Sequence, residues 1–293
     1  MDRTPIPSVA TLQQQVHRGK LEGDRRAWYA WSRRLSIHLT WVLLHFPIRP
    51  NQVTAVSVAF AVTGAALLAA TRPWIALIGA LALLAHHFLD KVDGDIARYR
   101  GTYSLRGVYL DDVGHALAAG GLFLGLGLHL ARGSGSAGLA LLAAAAIGGM
   151  AMVIGNQSKN AGFLLYARAV LAQPELLPGK RPASALAALS REATHEDRGP
   201  AAPTARATWL ARLRDAVLIA ADYTLMLPLA ATGLLVQALG GGRTFLTVLL
   251  VAECALQVAV LAALIAINYA FNVENEVLRL ERITRSRNDA TRP

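Results

Sequence analysis

Long apolar runs are the feature that most restricts how this chain can fold. Residues 53–70, 74–89 and 116–131 contain no Asp, Glu, Lys or Arg. A helix needs about 17–25 predominantly apolar residues to cross the hydrocarbon core of a bilayer. Only 16% of the chain is charged, whereas soluble domains carry roughly 25% charged residues. The sequence therefore predicts an all-α integral membrane protein and argues against an ordinary soluble enzyme.

The apolar runs predict six transmembrane helices, at about residues 54–70, 74–98, 107–130, 136–166, 213–239 and 244–271. Before them, apolar side chains in residues 26–47 recur at steps of three and four, which is typical of one face of a helix. Charged residues interrupt this segment. We therefore expect an N-terminal amphipathic helix in the membrane interface, with a short tilted span as the alternative.

The segments outside the apolar runs define the domain organisation. We expect a polar N-terminal segment, the interfacial helix, a six-helix domain and a cytosolic tail, at residues 1–25, 26–47, 48–273 and 274–293. Within the domain, residues 171–212 are rich in Pro, Ala and charge and have no sustained apolar face, which predicts a mobile cytosolic loop. The loop is either a linker or a cover over a cytosolic site, and we favour the linker.

Basic residues are distributed unevenly between the two sides of the predicted bundle. Of the 29 Lys and Arg residues, only Arg72, Arg132 and Arg243 fall in the links on one side. Cytosolic loops carry an excess of Lys and Arg. We therefore place both termini and the opposite links in the cytosol of a multi-pass cell-membrane protein. The same bias accounts for the net charge of +10 without nucleic acid as a partner, and it makes membrane lipids the expected surroundings.

A charged cluster lies at the predicted cytosolic ends of the second and third spans. Asp90 and Asp93 share one face of the second span, and Asp111 and His115, four residues apart, share one face of the third. The link between these spans is short, so the two faces can meet. Converging carboxylates repel one another without a cation, and hard divalent ions prefer oxygen ligands. Because charge at membrane depth is costly and usually functional, the cluster predicts a divalent-metal site.

The residues around the acids suit a phosphate-bearing ligand, because they are either small or basic. The small residues, which let a ligand approach the helix backbone, are Gly94, Ala97 and Gly107. The basic residues, which can pair with phosphate or complete a basic pocket at the same depth, are Arg98, Lys159 and Arg214. Together with the acids, these residues predict a metal-dependent site for a nucleotide diphosphate.

The cluster resembles the signature of the CDP-alcohol phosphotransferases, D-x2-D-G-x2-A-R-x8-G-x3-D-x3-D. Seven of the eight positions match, and they are Asp90, Asp93, Gly94, Ala97, Arg98, Gly107 and Asp111. The eighth position is His115 in place of the last aspartate. The resemblance extends to the six spans, the interfacial helix and the segment Pro50-Asn51-Gln52-Val53-Thr54 before the first span.

The resemblance implies transfer of a substituted phosphate from a CDP-linked donor to an alcohol acceptor, with release of CMP, at two divalent ions, Mg²⁺ or Mn²⁺. By resemblance, the metal ligands are Asp90, Asp93, Asp111 and His115, and the residues that contact CDP are Gly94, Ala97, Arg98 and Gly107. The candidates for a phosphate or acceptor pocket are Asn51, Lys159 and Arg214. CDP-diacylglycerol is the expected donor, phospholipid or related lipid synthesis the expected process, and a homodimer the expected assembly.

The histidine at position 115 leaves three interpretations open. In the family, the residue at this position is a proposed metal ligand and the base that activates the acceptor hydroxyl. An imidazole, with an ordinary pKa of about 6.5, is a competent base at neutral pH, but it is a poorer ligand for Mg²⁺ than carboxylate and suits Mn²⁺ or other transition ions better. We favour an active enzyme with His115 as base over an active enzyme with His115 as a passive contact, and over a non-catalytic relative.

A membrane transporter is the alternative from another functional class, because acids and histidines within helices can form an ion path.

Overall fold

The protein is described here by a computed structural model that covers residues 6–17, 27–102, 104–132, 134–172 and 222–270. Within these ranges the chain is helical and has no strand, which confirms the predicted all-α class. The helices are α1 (Val9–Val16), α2 (Ala27–Leu44), α3 (Pro50–Leu68), α4 (Pro73–Arg100), α5 (Leu105–Ala131), α6 (Ala137–Ala172), α7 (Tyr223–Ala238) and α8 (Thr244–Ala270).

The apolar helices match the predicted spans closely. Among the described residues, five helices are long and apolar enough to cross a membrane, namely α3, α4, α5, α6 and α8. Helix α7 is also apolar but has 16 residues. Its span was predicted from residue 213, and residues 213–221 lie outside the described part of the chain. The prediction of a polytopic helical bundle is confirmed, with α7 as its shortest apolar helix.

Helix α3 fills the space between α4 and α5 and packs against both of them. Helix α6 packs against α5 and α8, and α7 packs against α4. One apolar core joins these helices, and its largest fully buried side chains include Leu83, Leu122, Phe123, Leu126, Leu227 and Leu234. This arrangement holds the end of α4 and the start of α5 side by side, and these are the segments that carry the charged cluster.

Helix α2 presents several large apolar side chains outward and buries three hydroxyl-bearing side chains. The exposed apolar side chains are Trp31, Leu35, Leu39, Val42 and Phe46. Ser32, Ser36 and Thr40 are buried against the rest of the molecule. A helix that presents large apolar side chains away from the protein is the arrangement expected of an interfacial helix, whose apolar side contacts acyl chains.

A short helix, α1, lies in the segment that was predicted only to be polar. Leu12 and Val16 of α1 are buried in a second apolar cluster, together with Ile37 of α2 and Val92 and Ile96 of α4. An eight-residue helix spans barely two turns, so its sequence carries too few repeats to reveal a helical period. The second cluster ties the N-terminal segment to the part of α4 that contains the charged motif.

Two of the predicted segments are outside the described part of the chain. Helix α6 continues to Ala172, so only the first two residues of the loop predicted at 171–212 are described, and they belong to that helix. The predicted tail at 274–293 is likewise outside the described residues. Both assignments stay predictions.

Candidate functional site

Two carboxylates and an imidazole converge where α4 ends and α5 begins. Asp90 projects from α4, and Asp111 and His115 project from α5. Nε2 of His115 lies 3.3 Å from Oδ1 of Asp90 and 3.8 Å from Oδ1 of Asp111. One ligand atom from each of the three residues lies within 4.8 Å of the others. The predicted meeting of the two helix faces is present in the structure.

These donor atoms fit a divalent cation. Two carboxylate oxygens and one imidazole nitrogen form a set that suits Mn²⁺ and other transition ions as well as Mg²⁺. Asp93 lies one turn after Asp90, outside this group of three, and is only 7% exposed. Within the described ranges, no hydrogen-bond partner reaches Oδ2 of Asp93. Burying an unpaired carboxylate oxygen is costly, and a cation or a bound donor group would remove that cost.

A cavity of about 190 Å³ adjoins the acidic group. Its wall comes from the start of α3, the end of α4, the turn that leads into α5, and the first turns of α5. The lining residues are Pro50, Asn51, Thr54, Asp93, Gly94, Ala97, Arg98, Thr102, Ser104, Gly107, Val108 and Asp111. The set includes all four residues that the resemblance assigns to CDP contact, two of the expected metal ligands, and Asn51.

Gly107 lies where α3 closely approaches the start of α5. A Cβ atom at Gly107 would lie 2.8 Å from Oδ1 of Asn51 and 3.0 Å from Oγ of Ser104. Ser104 caps α5, since the backbone N–H of Gly107 donates to its Oγ atom over 3.0 Å. The Ser104 hydroxyl donates in turn to Oδ1 of Asn51 over 3.1 Å. The cavity therefore faces the N-terminus of a long helix, where backbone N–H groups and the helix dipole favour an anion.

Arg98 supplies a cation to the same cavity. Its guanidinium lies over Gly94, where an added Cβ atom would be 3.2 Å from Nη1 and 3.3 Å from Nη2. Nη2 pairs with Oδ1 of Asp95. Asp95 itself is fully buried and contacts α2 and the residue after α1.

His115 is anchored on its other side by a residue of α7. Nδ1 of His115 lies 3.0 Å from the hydroxyl oxygen of Tyr223, which is buried. The ring of His86 makes an edge-on contact with the His115 ring, with 5.9 Å between centroids. His115 is therefore held between α4 and α7, with Nε2 directed at the carboxylates.

Comparison with known proteins shows which family the region of this site resembles. Residues 47–171 match the family model of the CDP-alcohol phosphatidyltransferases. This stretch is similar to a CDP-alcohol phosphatidyltransferase domain. A segment of 102 residues is also 44% identical to the bifunctional IPC transferase and DIPP synthase of Rubrobacter xylanophilus. That alignment covers 33% of this chain and 23% of the relative, so the chain matches less than a quarter of the relative's length.

The matched stretch, residues 47–171, contains every residue of the predicted signature. The family resemblance stated from the sequence is therefore confirmed over α3 to α6. Two further residues predicted for a phosphate pocket are not tested. The side chain of Lys159 in α6 and the whole of Arg214 fall outside what the structure describes, and their assignment stays a prediction.

Three residues of the site were missed from the sequence. Ser104 precedes the third span and could have been recognised as a helix cap, because serine is favoured at that position. Tyr223 lies at the start of α7, far from His115 in the sequence, and only the tertiary structure brings the two side chains together. His17 lies in a segment with no predicted structure, and no local pattern in the sequence indicates its contact with Asp95.

Proposed function

We propose that this protein transfers a substituted phosphate from a CDP-linked donor to an alcohol acceptor and releases CMP, in phospholipid or related lipid synthesis. The observation that carries the proposal is the single cavity that brings Asp93, Gly94, Arg98, Gly107 and Asp111 together beside the group of Asp90 and His115. The family match over residues 47–171 supports the same reaction class.

The chain's own residues bind the donor in this proposal. Arg98 and the N-terminus of α5 attract the diphosphate, because both present N–H donors and positive charge to the cavity. Asn51 orients the capping residue Ser104, and its amide lines the cavity, where it can bind a polar group of either substrate. The absence of side chains at Gly94 and Gly107 lets the nucleotide approach the helix backbones.

The divalent ions would be held by Asp90, Asp93 and Asp111, with His115 as a fourth candidate ligand. When bound, they neutralise charge on the diphosphate and on the leaving CMP. Two ions, Mg²⁺ or Mn²⁺, are our proposal. The unpartnered Oδ2 atom of Asp93 supports its inclusion among the ligands.

His115 is the proposed base. If Nδ1 donates its hydrogen to the Tyr223 hydroxyl, the lone pair is on Nε2, which faces the carboxylates. An acceptor hydroxyl entering beside Asp90 and Asp111 would then lose its proton to Nε2. Metal coordination by Nε2 is the second candidate role, and it is favoured by the 4.8 Å grouping of the three donor atoms. One nitrogen lone pair cannot serve both roles at once. The two assignments therefore predict different effects of substituting His115 on turnover and on metal binding.

CDP-diacylglycerol is the donor that we propose, because the cavity lies at the end of membrane-length helices. A small CDP-linked head group with a lipid acceptor is the second donor class, because it would use the same signature. We also propose that the six-helix domain extends over residues 48–273, that both termini and the site face the cytosol of a cell membrane, and that the protein is a homodimer.

The test uses the full chain purified in detergent. CMP release is measured with CDP-diacylglycerol or a water-soluble CDP-alcohol, with a panel of polyol acceptors, and with Mg²⁺, Mn²⁺ or EDTA. Metal-dependent formation of CMP together with a phosphodiester product is expected. The absence of CMP from every donor with either metal would overturn the proposal in favour of a non-catalytic relative. The transporter alternative would require flux without phosphodiester formation.

A further inference from the structure

A buried polar contact links the N-terminal segment to the arginine of the donor cavity. Asp95 is an unspecified position of the signature, between Gly94 and Ala97, and it is fully buried. Its Oδ2 atom accepts a hydrogen bond from Nε2 of His17 over 3.0 Å. The hydroxyl of Thr40 in α2 approaches the same oxygen at 3.5 Å. Its Oδ1 atom pairs with Nη2 of Arg98.

Each partner of Asp95 comes from a different part of the chain. His17 directly follows α1, Thr40 lies on the inward face of α2, and Arg98 lies one turn further along α4. A buried carboxylate is stable only when its oxygens are paired, and removing a partner leaves an uncompensated charge. The position of the Asp95 side chain is therefore fixed by all three contacts, and α1 takes part in fixing it.

Asp95 is connected to the cavity by one edge of the Arg98 guanidinium. Nη2 is engaged by Asp95, and both Nη1 and Nη2 lie over Gly94, which lines the cavity. Within the described chain, Nε of Arg98 has no hydrogen-bond partner although it is buried. An arginine held by a carboxylate at one edge has its other N–H donors aligned for a second oxyanion, which is the geometry that suits phosphate.

We infer that Asp95 is a positioning residue that sets the Arg98 guanidinium for the donor diphosphate, and that His17, docked through α1, holds Asp95 in place. The inference rests on the proposed function and extends it to residues outside the signature. It makes the N-terminal segment a support of the donor site. The apolar contacts of Leu12 and Val16 dock α1 against the protein. The His17–Asp95 hydrogen bond then connects the docked helix to Asp95.

The first experiment measures donor binding separately from turnover. CDP itself, in the presence of Mg²⁺, is titrated into the full-length protein by calorimetry. Asp95→Asn is expected to weaken CDP binding by about tenfold, which corresponds to about 1.4 kcal/mol. In turnover assays the KM for the donor should rise by a similar factor, while kcat stays near the wild-type value. Asp112→Asn is the matched control, because Asp112 is exposed, and it should leave CDP binding unchanged.

The second experiment tests whether His17 acts through its hydrogen bond. His17→Leu should weaken CDP binding, whereas His17→Gln, which keeps an N–H donor, should restore most of it. His38→Leu is the matched control, because His38 is exposed on α2. In the Arg98→Ala background, Asp95→Asn should cause no further loss of CDP binding. Such non-additivity distinguishes positioning from a general loss of stability.

The outcomes separate this inference from the proposed function. A wild-type protein that neither binds CDP nor releases CMP overturns both. A wild-type protein that is active, with Asp95→Asn and His17→Leu binding CDP as tightly as it does, overturns the positioning role alone. If Asp95→Asn does not fold, the His17 variants decide the question, because they leave the carboxylate in place. In the Arg98→Ala background, His17→Leu should then cause no further loss of CDP binding. Equal losses in His17→Leu and His17→Gln would also contradict the inference.

Discussion

Nδ1 of His115 on α5 lies 3.0 Å from the hydroxyl oxygen of Tyr223 on α7. A histidine that acts through one ring nitrogen commonly has its other nitrogen fixed by a hydrogen bond, which selects the tautomer and the ring orientation. The contact joins helices that are far apart in sequence, and Tyr223 is buried. Tyr223 therefore controls how the imidazole faces Asp90 and Asp111.

Tyr223→Phe should lower turnover without removing the site. The substitution deletes one neutral hydrogen bond, worth about 0.5–1.5 kcal/mol net, so kcat should fall by about two- to thirteenfold. CDP binding should remain unchanged, because Tyr223 does not line the donor cavity. Steady-state kinetics and calorimetry check the two parts. Tyr109→Phe, at an exposed position, is the matched control, and a wild-type kcat in Tyr223→Phe would refute the role.

The contact with Tyr223 marks the boundary of what the sequence predicts here. Apolar length places the membrane helices, because a continuous span is a local property; the second span was predicted at 74–98 and α4 is Pro73–Arg100. The spacing of Asp111 and His115 places them on one face for the same reason. Tyr223 and His17 meet the site only through tertiary packing. The periodicity of one helix does not indicate which side chains from distant parts of the sequence will contact that helix.

Helix α1 is a second feature that depends on tertiary packing and that local sequence patterns do not predict. Its eight residues have little tendency to form a helix alone, since isolated short helices are unstable in water. It is stabilised by burying Leu12 and Val16 against α2 and α4. Among the described residues of this segment, Ile6 and Val9 also pack against the cluster. These few apolar positions do not change the polar composition of residues 1–25.

Asp93→Asn should abolish transferase activity while the protein still inserts and purifies. The change removes a charged oxygen beside the cavity with almost no change in volume. It also replaces an atom that has no hydrogen-bond partner in the described part of the structure, so folding should suffer little. CMP formation and the melting temperature in detergent measure the two effects. Asp112→Asn should keep wild-type activity. More than half of the wild-type rate in Asp93→Asn would exclude Asp93 as a metal ligand.

Gly107→Ala should weaken donor binding rather than unfold the protein. The new methyl group would lie 2.8 Å from Oδ1 of Asn51, the end of a side chain that can rotate away. Rotation breaks the hydrogen bond from Ser104 to Asn51 and moves the amide within the cavity. CDP titration should therefore show a loss of affinity with little change in melting temperature. Gly101→Ala does not serve as a control because that glycine has a positive φ of 64°; Ala116→Gly, further along α5, is the better comparison.

The orientation of the bundle predicts where the chain is accessible in cells. With Cys254 replaced by serine, a single cysteine introduced at position 185, within the predicted loop at 171–212, should resist an impermeant thiol reagent in intact cells. It should react after the cells are opened. A cysteine at Gly241, in the link between α7 and α8, should show the reverse pattern. Labelling of position 185 in intact cells would invert the proposed topology and place the site outside the cytosol.

Variants of His115 separate its three interpretations. If the imidazole is the base, His115→Ala should lower kcat by about 10²–10⁴-fold, the usual contribution of a positioned base. Binding of Mn²⁺, followed by electron paramagnetic resonance, and binding of CDP should change much less, because Asp90, Asp93 and Asp111 remain. If Nε2 is instead a metal ligand, Mn²⁺ affinity should fall together with the rate. A near-normal rate in His115→Ala would exclude both roles.

His115→Asp completes the test, because it restores the acidic residue of the signature. A carboxylate is a better ligand for Mg²⁺ than an imidazole is, so this variant should keep part of the activity and shift the metal preference from Mn²⁺ toward Mg²⁺. The shift should also appear in metal binding measured without substrate. Tyr223→Phe should have a smaller effect in this background than in the wild type, since a carboxylate has no tautomer to be selected. A wild-type protein without activity that gains transferase activity through His115→Asp would instead identify a non-catalytic relative of the family.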